Sequence, residues 1–142
     1  TIMGKVQILA VLTMDGCLSS ELYDKAHQDL CLDRCGLDEI RKNALYRVTP
    51  DYSISMLHEW RKDGTNIRYL AEATSDTADY INGLLRMHAV DEIILYTVPF
   101  ISGSGRHFFK SALPEQHWTL SSLKSYPNGV CRIIYILDKK AR

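Results

Sequence analysis

The sequence lacks both an excess of one charge and a long apolar run. Its 142 residues include 17 basic and 17 acidic side chains, so the formal net charge is zero. A nucleic-acid-binding surface depends on clustered positive charge, which this balance does not favour. A membrane-spanning helix needs roughly 18 consecutive apolar residues, and a signal peptide needs a basic segment before an apolar one. Neither pattern is present, so we expect no nucleic-acid partner, no membrane association and a cytoplasmic location.

Cysteine is also scarce, with four residues at Cys17, Cys31, Cys35 and Cys131. A chain of this size that is 46% hydrophobic can form a core without disulfides, so we expect reduced thiols. His27, Cys31 and Cys35 are spaced by four and would share one face of a helix, so a metal site formed by these three side chains is one interpretation. Buried small side chains are the favoured interpretation of these cysteines. We therefore predict no metal site.

Apolar periodicity predicts the secondary structure. Residues 5–13 carry apolar side chains on both faces, which is typical of a central strand that is covered on both sides. Four further strands are predicted at 67–73, 91–100, 118–124 and 130–137. Helices are predicted at 49–64, with Met56, Leu57 and Trp60 as the apolar stripe, and at about 77–88, with His88 on the buried face. Residues 20–48 favour helix but are interrupted at Gly36.

The order of these elements predicts the fold class. Strand–helix–strand units place neighbouring strands parallel with right-handed crossovers. Asn128 and Gly129 supply the positive φ angles of a tight hairpin between the last two strands. We predict a single α/β domain over 1–142. It is a three-layer, mainly parallel mixed sheet with flanking helices and a C-terminal antiparallel hairpin.

Two motifs point to a family. The first is the run 90–109, in which Asp91 and Glu92 begin an apolar strand, Pro99 ends it, and Gly103 and Gly105 follow. The second is the run 12–18, an apolar strand end followed by a turn at Asp-Gly. Together they resemble the dihydrofolate-reductase-like family, and most closely the C-terminal reductase domain of the bifunctional riboflavin-biosynthesis deaminase/reductase. The resemblance covers 4–18 and 66–138, and implies the same fold.

The resemblance also implies a site. It places Thr13 and Asp15 at the active-site rim as catalytic residues, facing a pyrimidine- or pterin-like small-molecule substrate. It places the following residues beside an NADPH cofactor: Glu72, Gly103, Ser104, Gly105 and Arg106. It further implies a homodimer formed through the sheet edge near the Asp-Glu strand, and residues 93–98 are apolar enough to support one.

The chain departs from the family at one motif. Relatives carry a hydrophobic-Glu-Gly-Gly sequence, in which two glycines let a dinucleotide pyrophosphate approach the start of a helix. Here Glu72 is followed by Ala73 and Thr74, whose Cβ atoms would intrude on a phosphate. Residues 20–65 also have no counterpart of the family's adenosine-binding strands.

Two functions follow from the resemblance and its departures. The first is an NADPH-dependent reductase similar to the riboflavin-biosynthesis 5-amino-6-(5-phosphoribosylamino)uracil reductase domain. The alternative is a non-catalytic or repurposed relative that has lost the dinucleotide site and serves as a small-ligand-binding or interaction module. The sequence leaves open which of the two applies, and therefore whether the chain is an enzyme.

Overall fold

The computed structural model describes residues 4–18, 32–63, 67–99, 101, 103, 107–110 and 112–138. The strands in these residues are β1 (Lys5–Leu12), β2 (Tyr46–Arg47), β3 (Arg68–Glu72), β4 (Glu92–Thr97), β5 (Trp118–Ser125) and β6 (Cys131–Leu137). The helices are a 3-10 helix (Leu32–Cys35), α1 (Leu37–Asn43), α2 (Ile54–Asp63) and α3 (Ala78–Arg86).

The six strands form one mixed sheet in the order β2-β3-β1-β4-β6-β5. Strands β2, β3, β1 and β4 are parallel, and β6 joins antiparallel to both β4 and β5. At the centre, Ile8 of β1 lies between Ala71 of β3 and Ile93 of β4. The predicted mainly parallel sheet with a C-terminal antiparallel hairpin is confirmed.

Strand β1 is the centre of the core because both of its faces are covered. Every residue from Val6 to Leu12 is buried. Alternate side chains enter two separate apolar clusters: Ile8 packs with Leu57 of α2 and Ile81 of α3, whereas Leu9 packs with Leu37 of α1. Helices therefore flank the sheet on both sides, which completes the three layers.

On the face of the sheet that α1 covers, two tyrosine hydroxyls bind the backbone of the 3-10 helix. Tyr96 of β4 and Tyr126 both donate to the backbone carbonyl of Cys35, at 2.8 Å and 2.7 Å. Burial raises the pKa of Tyr96 far above the usual value for a phenol, although Arg132 opposes the shift. Tyr96 therefore stays protonated and remains a hydrogen-bond donor at all physiological pH values.

Three sequence predictions differ from the structure. Strand β2 was not predicted, because two residues carry no detectable periodicity. His88 was predicted to be buried and is exposed, because α3 ends at Arg86 and His88 adopts the left-handed conformation with φ of 56°. Met56 lies on the predicted apolar stripe of α2 but is 42% exposed, since only Leu57 reaches the core fully.

The predicted dimer edge is also wrong in its placement. Strand β4 pairs with β1 on one side and β6 on the other, so its backbone is not available to a partner. The lateral strands of the sheet in the described residues are β2 and β5. Strand β5 carries the exposed apolar side chains Leu120 and Leu123.

Among the described residues, Cys17, Cys35 and Cys131 form no disulfide. His27 and Cys31 of the proposed metal row lie outside the described residues. Within the ranges given above, no three His, Cys, Asp or Glu side chains are grouped so that they could hold a metal ion. None of the helices in the same ranges has the length and apolar character needed to cross a membrane.

Candidate functional site

The turn after β1 is built around the side chain of Thr13. Its backbone N–H donates to the Cys17 carbonyl at 2.9 Å, and its Oγ1 accepts from the Cys17 N–H at 3.1 Å. The Gly16 N–H donates to the Thr13 carbonyl at 3.0 Å, and Gly16 has φ of 80°, which a residue without Cβ adopts easily. Thr13 is buried, so its hydroxyl is committed to shaping this turn.

Asp15 connects this turn to the segment that contains Gly103 and Gly105, which we call the glycine loop. Its Oδ1 accepts a short hydrogen bond from Thr13 Oγ1, and its Oδ2 accepts from the Gly103 N–H at 3.0 Å. The two segments are 88 residues apart in sequence and meet because β1 and β4 are parallel neighbours. Asp15 is half-buried, so its carboxylate is held in place while part of it faces solvent.

The far side of the glycine loop returns to the same turn. Cys17 forms an antiparallel bridge with His107, and the Phe108 N–H donates to the Gly16 carbonyl at 3.2 Å. Phe108 is fully buried and packs edge-to-face on Phe109, whereas His107 is exposed. The aromatic pair therefore packs beneath this segment and leaves the His107 imidazole at the rim.

Glu72 lies at the end of β3 and is held by two arginines. Arg41 of α1 donates to both carboxylate oxygens in a forked arrangement, and Arg47 of β2 donates to Oε2 at 3.1 Å. Such charge-assisted pairs fix geometry as well as adding energy. The Glu72 side chain thus connects β3, α1 and β2.

The segment after Glu72 closes the start of α3. Thr74 and Thr77 form a reciprocal pair: the Thr74 N–H donates to Thr77 Oγ1 at 2.8 Å, and the Thr77 N–H donates to Thr74 Oγ1 at 3.3 Å. Thr77 Oγ1 also donates to the Glu72 carbonyl at 2.8 Å. The pair closes the turn 74–77 in the manner of a capping box, whereas Thr77, the N-cap residue of α3, makes no side-chain hydrogen bond to the helix itself.

This closure decides whether the helix start fits a dinucleotide. A pyrophosphate at a helix start is bound by free backbone N–H groups. Here the N–H groups of Thr74 and Thr77 already have hydroxyl partners, and Asp76 adds an exposed acidic residue. The turn that leads into α3 therefore opposes the binding of a pyrophosphate in the way that the family motif implies.

Removing one hydroxyl of this pair should weaken the helix start. In Thr77→Val the shape is kept, but the bonds to the Thr74 N–H and the Glu72 carbonyl are lost. We expect a loss of about 1 kcal/mol in the free energy of unfolding, the usual effect of losing a cap. Urea denaturation measures it, and Thr119→Val on the exposed face of β5 is the matched control. Equal stability of the two variants would show that the cap is not formed in solution.

The predicted site residues divide into three groups. Thr13, Asp15 and Gly103 are brought into direct contact, and we call them the Asp15 cluster. Glu72 has a separate set of partners, the two arginines. The remaining three, Ser104, Gly105 and Arg106, lie outside the described residues.

Sequence reasoning missed the residues that hold the site. Arg41 and Arg47 have no motif, and their pairing with Glu72 depends on β2 lying beside β3. Asn82 of α3 is fully buried and contacts the backbone of both Phe108 and Lys110 after the glycine loop. A polar residue on the apolar face of a predicted helix is the one signal that could have indicated it.

Several solved structures share this architecture. A candidate riboflavin biosynthesis protein from Shewanella sp. PV-4 superposes with a TM-score of 0.64 at 11% identity, covering 95% of this chain and 99% of that one. A pyrimidine reductase-like protein from Corynebacterium diphtheriae gives 0.57 at 12% identity, covering 95% and 92%. Dihydrofolate reductase from Enterococcus faecalis, solved with NADP(H), gives 0.58 at 11% identity, covering 97% and 99%.

This chain has the dihydrofolate-reductase-like fold. The resemblance to riboflavin-biosynthesis reductases is confirmed at the level of the fold, which is what a likeness at such low identity establishes. The sequence itself matches no protein-family model and no curated protein.

Proposed function

We propose that this protein binds a pyrimidine- or pterin-like small molecule at the Asp15 cluster, without an ordinary dinucleotide site. The observation that carries the proposal is the carboxylate of Asp15, fixed between Thr13 Oγ1 and the Gly103 N–H while still reaching solvent. A carboxylate in this setting accepts hydrogen bonds from the amino and ring N–H groups of an aminopyrimidine. The hydrogen-bonded turn before α3 supports the statement that an ordinary dinucleotide site is lacking.

A second candidate is the NADPH-dependent reductase similar to the riboflavin-biosynthesis uracil reductase domain. It is favoured by the shared fold and by the contact of Asp15 with Gly103, which joins the two segments that the family motif assigns to substrate and cofactor. In this case Asp15 and Thr13 would orient the substrate, and NADPH would be the hydride donor. The hydrogen-bonded turn before α3 is the observation that opposes the reductase candidate.

Calorimetry with pterin and NADPH as separate titrants tests both candidates. We expect saturable binding of pterin, and a loss of about tenfold or more in affinity for Asp15→Asn, because a hydrogen bond to a charged group contributes about 1.5–3 kcal/mol. Asp38→Asn on the exposed face of α1 is the matched control and should bind as the parent does. Equal pterin affinity in the parent and in Asp15→Asn would contradict the assignment of Asp15.

The NADPH titration separates the candidates. We expect no saturable binding of NADPH or NADH at micromolar concentration, because the N–H groups of Thr74 and Thr77 in the turn before α3 already have hydroxyl partners. Saturable binding at micromolar concentration would instead support the reductase. In that event a double change, Ala73→Gly with Thr74→Gly, should tighten NADPH binding further, since it frees the helix start.

We also propose that the chain forms one domain and lies in the cytoplasm, as its sequence indicates, and that it acts as a homodimer, as the resemblance implies. The apolar side chains on β5, Leu120 and Leu123, support a dimer through that strand and not through β4. The extent of the fold match, which covers nearly the whole chain, supports the single domain.

A further inference from the structure

A cavity of about 420 Å³ lies at the β2 edge of the sheet. Its wall contains four aromatic side chains and one permanent charge: Tyr46, Tyr52, Trp60, Tyr69 and Arg47. None of these residues belongs to the Asp15 cluster. The volume is within the range of about 300–1,000 Å³ that is typical of small-molecule sites.

The rings form a layered arrangement. Tyr46 stacks on Tyr69 with centroids 5.6 Å apart and an interplanar angle of 12°, and Trp60 stacks on Tyr69 at 6.0 Å and 23°. Tyr52 meets Trp60 edge-to-face at 5.2 Å. A flat ring system that enters the cavity therefore finds aromatic faces and edges already oriented for stacking.

The wall is held in place by hydrogen bonds from tyrosine hydroxyls to backbone carbonyls. The Tyr80 hydroxyl of α3 donates to the Tyr52 carbonyl at 2.7 Å, and the Tyr69 hydroxyl donates to the Trp60 carbonyl at 3.4 Å. Tyr69 is buried, whereas Tyr46 at the outer side is 51% exposed. An exposed tyrosine stacked on a buried one leaves a large apolar ring at the mouth of the cavity, where a ligand would cover it.

The charge at the mouth is positive. Arg47 lines the cavity and also pairs with Glu72, which is shared with Arg41. Two guanidinium groups thus share the carboxylate of Glu72. More than half of the Arg47 side chain is exposed, so its remaining donors can reach an anion.

We propose that this cavity, which we call the Trp60 pocket, is a second binding site for a planar aromatic ring that carries an anionic group. The ring stacks on Tyr46, which is half exposed at the mouth of the pocket beside Trp60, and the anion pairs with Arg47. The site is independent of the function proposed for the Asp15 cluster.

Flavin mononucleotide and adenosine monophosphate are the probes, because each joins a planar ring to a phosphate. Trp60 reports occupancy by its fluorescence, and the other tryptophan, Trp118, is silenced by Trp118→Phe. We expect saturable quenching of Trp60 by at least one nucleotide in this background. Riboflavin and adenosine, which lack the phosphate, should bind more weakly.

Two variants separate the contribution of the aromatic ring to the binding affinity from the contribution of the positive charge. Arg47→Ala should weaken binding of the nucleotide about tenfold and leave the phosphate-free compound unchanged, because only the charged hydrogen bond is lost. Tyr46→Ala should weaken both by about tenfold, as loss of an aromatic stacking partner does. Tyr46 is half exposed, so its removal leaves the core intact, and thermal unfolding verifies this.

The opposite edge of the sheet provides the control. Lys124→Ala on β5 removes a cation from a strand that does not line the pocket, and should leave the nucleotide affinity as it was. Pterin binding to the Arg47 and Tyr46 variants should also be unchanged, which keeps the two sites distinguishable. Absence of quenching by both nucleotides at millimolar concentration, or equal loss in Arg47→Ala and Lys124→Ala, would overturn the proposal.

Discussion

Replacing Asp91 with alanine is expected to lower the free energy of unfolding by about 3–5 kcal/mol, the usual result of removing one partner of a buried ion pair. Its Oδ2 accepts from the Val6 N–H at 2.9 Å, and its Oδ1 accepts from Arg61 Nη1 at 3.2 Å. The two side chains are only 12% and 13% exposed. Asp91→Ala leaves a guanidinium and a backbone N–H without this acceptor, in a region that water hardly reaches.

Denaturation by urea measures the loss, and two further variants locate its cause. Asp91→Asn keeps an oxygen that can accept from the Val6 N–H but removes the charge, so it should fall between the parent and Asp91→Ala. Asp38→Ala breaks the exposed pair between Asp38 and Lys42, and should change stability by no more than about 0.5 kcal/mol. A loss below about 1 kcal/mol in Asp91→Ala would mean that the pair with Arg61 is not formed in solution.

The Asp91 pair changes the meaning of a sequence motif. Asp91 and Glu92 begin the strand on which the family resemblance was based. In the structure Asp91 binds Val6 and Arg61, and Glu92 Oε2 accepts from Gln7 Nε2 at 3.2 Å. Both acidic side chains therefore fasten β4 to β1 and α2. The Asp91-Glu92 pair indicates the fold for a structural reason and carries no direct information about the ligand.

The parts of the fold that could be predicted are those determined by local chemistry. The two apolar faces of β1 required a covered central strand, and both faces are buried. Asn128 and Gly129 predicted a tight turn, which is present, but only Gly129 has the predicted positive φ, at 90°. Asn128 contributes through its side chain instead, since its Oδ1 accepts from the Val130 N–H at 3.2 Å. In these cases the residues that determine the geometry are neighbours in sequence.

The parts that could not be predicted depend on strand order. Strand β2 exists because two residues pair beside Tyr69 and Leu70, and the arginines that hold Glu72 follow from that pairing. The contact of Asp15 with Gly103 joins segments that only the parallel pairing of β1 with β4 brings together. The Trp60 pocket could not be predicted for the same reason. Trp60 lies on a helix and Tyr69 on a strand, and nothing in the sequence near either residue indicates that the two rings stack.

The second large effect is expected at Asn82, which is fully buried in α3. Its Nδ2 donates to the carbonyls of Ala78 and Phe108, both at 2.8 Å, and its Oδ1 accepts from the Lys110 N–H at 3.0 Å. In Asn82→Ala, buried groups of Phe108 and Lys110 lose this partner. Each such group costs about 1–3 kcal/mol when left unsatisfied, so we expect a loss of about 2–4 kcal/mol in the free energy of unfolding.

Two further substitutions test whether the hydrogen bonds of Asn82 cause the loss of stability. Asn82→Asp keeps the size and the acceptor for Lys110, but an ionised carboxylate cannot donate to the Phe108 carbonyl, so it should also destabilise the protein. Asn43→Ala on the exposed end of α1 should lie within about 0.5 kcal/mol of the parent. If Asn82→Ala cost less than about 1 kcal/mol, the contacts with Phe108 and Lys110 would not be maintained in solution.

Asn82 also has an expected effect on ligand binding, because the segment that it holds forms one side of the Asp15 cluster. His107 bridges to Cys17 and the Phe108 N–H donates to Gly16, so loosening this segment should disturb the turn that carries Asp15. The matched variant is Leu37→Ala, a core change that costs about 2–5 kcal/mol and lies in the apolar cluster that does not contain Phe108. Pterin affinity measured on folded protein should fall in Asn82→Ala and remain unchanged in Leu37→Ala. An equal effect in both would mean that Asn82 contributes to stability alone and does not position the site.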